Sequence, residues 1–73
     1  MVAPIFVSND TKLSRYMLDG GDVLVDMAVE CMRKSEAEEE FLLGKADGLC
    51  IAIAHASGAD LDWVRDYISD KAF

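Results

Sequence analysis

Six carboxylates carry the clearest chemistry in this sequence. Asp22, Asp26 and Glu30 recur at four-residue intervals, and so do Asp62, Asp66 and Asp70. On a helix that spacing puts each set on one face, with neighbours about 6 Å apart along the axis. Like charges so placed weaken their own helix by roughly 0.2–0.5 kcal/mol per pair. The same step is near the separation of successive phosphates on a nucleic-acid strand, so such lines can imitate nucleic acid toward a basic protein groove. The alternative is an ordinary solvated face on two surface helices.

A second pattern is made of small residues. Gly44, Gly48, Ala52 and Ala56 fall every fourth position, a smooth strip roughly 18 Å long on a helix. Each glycine inside a helix costs about 1 kcal/mol relative to alanine, a loss that a closely packed neighbouring helix offsets. That neighbour is either another helix of the same chain or the same helix of a second subunit, with local flexibility a third explanation. The strip is therefore the candidate oligomer interface.

The other reactive side chains are few. His55 is the single histidine; near a helix carboxyl end its protonated form suits the dipole. Cys31 and Cys50 lie inside apolar, helical-looking stretches and read as buried thiols in a reducing setting rather than as a disulfide. A structural zinc needs four closely spaced ligands, which two distant cysteines and one histidine do not supply. Asp47, beside Lys45 and Gly48, reads as a surface residue. With neither a glycine-rich phosphate loop nor a nucleophile elbow, the expectation is a non-enzyme with no cofactor and no metal.

Composition narrows the partners. Fourteen acidic against seven basic residues give a net charge of −7, which repels nucleic acid and anionic lipid and favours a protein with a basic surface. A chain of 73 residues is read as one helical domain over 1–73, whose core supplies no more than about 3–5 kcal/mol. Self-association or a larger partner is the natural supplement, and a homodimer is expected. No apolar run is long enough to cross a bilayer and no leader pattern opens the sequence, so a cytoplasmic location is expected.

The elements that must position these residues follow from caps, glycines and apolar spacing. Residues 2–7, with Pro4 before Ile5-Phe6-Val7, read as an extended apolar arm or edge strand. Ser8, Asn9 and Asp10 are alternative caps for a helix over about 11–18, ended by Asp19-Gly20-Gly21. A second helix is expected over 22–34, with Val23 and Met27 leading its apolar side and Leu24, Ala28 and Cys31 beside them. Ser35 and Glu38 form a capping-box pattern that favours a break and a third helix over about 35–56, although one continuous helix from 22 to 56 is also compatible. The stretch 49–54 is apolar on every side and is read as helix rather than buried strand. Gly58 closes that helix, and Asp60 caps a last one over 61–71 with Leu61, Val64 and Ile68 inward and Trp63 in the core.

The expected fold is all-α, a small bundle of three to four short helices with an extended apolar amino-terminal arm. The expected role is that of an acidic protein-binding module that regulates or inhibits a larger partner, in its sharpest form a nucleic-acid mimic of the kind phages and mobile elements encode. The alternative is a non-catalytic helical subunit of an obligate homo- or hetero-oligomeric assembly.

Overall fold

The computed structural model describes residues 7–35 and 40–73, with side chains described for 7–34 and 44–73. Helices α1 (Asn9–Tyr16), α2 (Asp22–Ser35), α3 (Glu40–Ser57) and α4 (Leu61–Ala72) form a small all-α bundle, as expected, with no strand among the described residues. The apolar arm, apart from Val7, and Glu38 of the capping box lie outside the described residues.

Ser8 wins the competition for the first cap. Its backbone is extended and its Oγ accepts from the Thr11 amide at 3.2 Å, so α1 starts two residues earlier than spacing predicts. Asn9, no longer needed as a cap, reaches across the fold instead. Its Oδ1 accepts from the Asp60 amide at 3.0 Å, a bond between residues 51 apart. After Tyr16 the chain makes a wide, kinked turn, Met17–Gly21. Gly20 sits there at φ 103°, a conformation that disfavours any residue with a Cβ. Gly21 is buried, and a Cβ on it would collide with the Tyr16 ring.

This turn sets the rotation of α2. Val25, Ala28 and Cys31 point into the core, with Leu24, Val29 and Met32 half-buried around them. Val23 and Met27, expected to lead the apolar side, are 61% and 41% exposed. The reason is in the helical period. The Val23–Met27 column continues into Glu30 and Lys34, whereas the column through Leu24, Val25, Ala28, Cys31 and Met32 stays apolar over the helix length.

Helix α2 ends at Ser35 and α3 begins at Glu40; the two pack side by side along the largest contact in the molecule. They are two helices, not one. Helix α3 buries Ala46, Cys50, Ile53 and Ala54 and leaves Ile51 and Ala52 in solvent, so 49–54 is helical but only partly covered. Gly58, at φ 79°, closes α3, the left-handed exit that glycine permits. Asp60 then caps α4 through Oδ2, accepting from the Trp63 amide at 3.2 Å.

Helix α4 completes the core with Val64, Ile68 and Ala72, meeting Leu13 of α1, Val25 and Ala28 of α2, and Cys50 and Ile53 of α3. Trp63, expected in the core, is half-buried at its rim and stacks on Tyr67. An indole at a rim keeps its N–H near water while its rings cover apolar surface. No polar or charged side chain among the described residues is buried. No described helix is long and apolar enough to cross a membrane.

Candidate functional site

The structure places all six residues of the acidic lines in solvent. Asp22, Asp26 and Glu30 lie along α2; Asp62, Asp66 and Asp70 lie along α4. The two helices pack together, and Arg33 joins their carboxyl ends. Its Nε donates to the Ala72 carbonyl at 3.3 Å and its Nη2 to the Lys71 carbonyl at 3.4 Å. A guanidinium is well suited to this place, because the last carbonyls of a helix lack intrahelical donors and carry its negative pole.

Local cations neutralise only part of this surface. Glu30 pairs with Arg33 at 3.5 Å and Lys34 at 4.0 Å, and Asp62 pairs with Arg65 at 3.6 Å. Asp22, Asp26, Asp66 and Asp70 make no ion pair among the described residues.

Two concavities adjoin the lines. Beside α2, Val23, Asp26, Met27, Glu30, Cys31 and Lys45 line an open, largely apolar hollow of about 400 Å³. On α4, Trp63, Asp66, Tyr67 and Asp70 line one of about 250 Å³. The Trp63 and Tyr67 rings stack there with centroids 5.5 Å apart and planes at 21°. The Lys71 ammonium lies 5.7 Å from the Tyr67 centroid.

The small-residue strip is not covered by another described helix. Gly44, Gly48, Ala52 and Ala56 are all exposed, and a Cβ built on either glycine meets nothing within 4 Å. The reading in which a helix of the same chain fills this groove is therefore corrected for the described residues. The apolar contacts of α3 run along its other side, through Ala46, Cys50 and Ile53. A third hollow, lined by residues that include Lys12, Tyr16 and Ala56, sits where the strip ends against α1.

The remaining reactive groups do not converge. Cys31 and Cys50 are buried and unbridged, as the apolar spacing suggested. Burial, and secondarily the Asp47 charge, raises the Cys50 thiol above its ordinary value, with Arg65 acting the other way. His55 is exposed in the last turn of α3. Among the described residues no group of three or more His, Cys, Asp or Glu side chains is arranged to hold a metal ion.

Sequence reasoning missed three relationships. Asp47 is half-buried and accepts from Arg65 Nε at 2.7 Å, linking α3 to α4. The bond raises the Arg65 pKa further above its already high value. Arg33 caps a helix 38 and 39 residues away. Trp63, Tyr67 and Lys71 form a column at four-residue spacing, a signal that was visible in the sequence. Compared with known proteins, the chain matches no family model, no curated protein and no solved structure.

Proposed function

We propose that this chain is a protein-binding module whose acidic helical surface engages a basic surface on a larger partner and so regulates or inhibits it. The observation that supports this reading best is the set of four exposed carboxylates, Asp22, Asp26, Asp66 and Asp70, that no described cation neutralises. Unpaired like charges oppose the fold through self-repulsion, and a basic partner removes that cost on binding. In this reading the module acts by occupancy, without chemistry of its own. Its sharpest form is nucleic-acid mimicry, with carboxylates standing in for phosphates.

The test is capture from native cell extract on the immobilised chain, followed by elution with duplex DNA at constant ionic strength. A partner displaced by DNA, and no longer captured after Asp62→Lys, Asp66→Lys and Asp70→Lys together, is the expected result. Equal capture by the triple variant, with its helical content unchanged, overturns the reading.

A second reading is supported by the open strip Gly44, Gly48, Ala52 and Ala56, beside which Ile51 is 48% exposed. An uncharged strip of that kind on an otherwise strongly acidic chain suits a second helix at close range, either from another copy or from a different subunit. Light scattering of the purified chain, before and after Gly48→Glu, separates the readings. A dimer that the substitution dissociates favours assembly, and a monomer in both cases favours the acidic surface.

A further inference from the structure

We infer that the hollow on α4 is a receptor for the guanidinium of an arginine side chain carried by the protein partner. This rests on the acidic-surface reading and assigns it a specific anchor. Two kinds of group converge there. Trp63 and Tyr67 present stacked rings, 5.5 Å between centroids and 21° between planes, and Asp66 and Asp70 line the same hollow.

Aromatic faces attract cations through the ring quadrupole, tryptophan most strongly. Carboxylates accept charge-assisted hydrogen bonds from the N–H groups of the same cation. Four residues apart on α4, Asp66 and Asp70 stand about one helical turn from each other, near 6 Å along the axis. Neither has an ion-pair partner among the described residues, whereas Asp62, on the same line, already has Arg65. The two carboxylates that border the rings are thus the two on α4 without a cation of their own.

The chain's own Lys71 reports the attraction, with its Nζ 5.7 Å from the Tyr67 centroid. An ammonium is a compact, strongly hydrated point charge. A guanidinium is planar and weakly hydrated, stacks on rings and offers five donors. Rings and carboxylates lining one hollow use each of those properties, so arginine is selected over lysine. Tryptophan, tyrosine and arginine are the residue types enriched among those that carry most of the binding energy of interfaces, and such residues tend to pair across them.

Trp63 is the single tryptophan of the sequence, so the fluorescence of the intact chain reads the hollow directly. The probes are three capped tripeptides: tri-arginine, tri-lysine and tri-citrulline, the last nearly isosteric with arginine and uncharged. Tri-arginine is expected to change Trp63 emission saturably, tri-lysine several-fold more weakly and tri-citrulline not at all. Asp66→Asn with Asp70→Asn should weaken tri-arginine about tenfold or more, with circular dichroism unchanged. Lys71→Met should tighten it by removing a competing cation.

Equal responses to tri-arginine and tri-lysine, or to tri-arginine in wild type and the double variant, overturn the inference. Silence of Trp63 toward tri-arginine, while charge reversal still abolishes partner capture, removes the guanidinium receptor and leaves the acidic-surface reading standing. A selective tri-arginine response, with capture indifferent to charge reversal, leaves a guanidinium-binding hollow on α4 but overturns both its assignment to the captured partner and the acidic-surface reading.

Discussion

Arg65 reaches from α4 to Asp47 on α3 with Nε 2.7 Å from Oδ1, the shortest ion pair among the described residues. Both side chains are close to half exposed, at 40% and 48%, so water and salt screen the attraction. A double-mutant cycle with Asp47→Ala and Arg65→Met should give a small favourable coupling in urea unfolding at low salt. At about 1 M salt, where the screening length is near 3 Å, the coupling should fall by more than half. A coupling unaffected by salt would mean that packing of the Arg65 stem, rather than charge, holds the two helices.

The glycines fall into two groups with opposite expected effects. Gly21→Ala pushes a methyl into the Tyr16 ring and should destabilise by about 1–3 kcal/mol. Gly44→Ala and Gly48→Ala add methyls in open space on a helix, and each should stabilise an isolated chain by roughly 0.5–1 kcal/mol. If the strip is an assembly interface, the same pair obstructs close approach and lowers the melting temperature, most at high protein concentration, where the wild type is assembled. Thermal unfolding across a range of concentrations decides between the two.

Alkaline pH should weaken the fold through Cys50. Burial raises its thiol above the ordinary value of 9.0, so above that pH the unfolded chain releases a proton that the folded chain retains. The stability concerned is fully present below about pH 9 and is lost as pH climbs toward the folded value. The slope reaches at most about 1.4 kcal/mol per pH unit. Urea unfolding of wild type and Cys50→Ala, at intervals from neutral pH to well above the ordinary thiol value, should show the steeper decline only in wild type.

Arg33→Gln removes the guanidinium from the Lys71 and Ala72 carbonyls. A cation and donor at a helix carboxyl end contributes about 0.3–1 kcal/mol, and the loss should be local. Amide exchange in the last turn of α4 should accelerate several-fold while the Val64 amide stays protected. Uniform acceleration along α4 would instead mark Arg33 as a determinant of global stability.

Much of the fold was legible because caps and breakers act locally. Asp60 and Gly58 announced a helix boundary that depends on a few residues at most, and Gly20 announced the turn before α2. The rotation of α2 was harder, since Val23 and Met27 satisfy the spacing of an inward face over a single turn. Only following the column to Glu30 and Lys34 reveals that it faces water. The links made by Arg33, Arg65 and Asn9 span 18 to 51 residues, and nothing in local spacing encodes which distant group a long polar side chain will meet. The acidic lines were readable as lines; which of their members keep a local cation depended on side-chain geometry.

The clasp between Asn9 and Asp60 has a consequence for the order in which the chain assembles. Helices α2, α3 and α4 each pack on both of the others, whereas α1 meets mainly α3 and the Met17–Gly21 turn and is tied to the start of α4 by this bond across 51 residues. An element with few buried apolar contacts opens at lower free energy than the core around it. Helix α1, with Leu13 its one buried residue, should therefore dock last in folding and detach first. On this expectation α1 behaves as a latch that opens while the other three helices remain closed. In hydrogen exchange, the amides of its last turn should open in a separate, earlier step than those of Ile53 and Ile68.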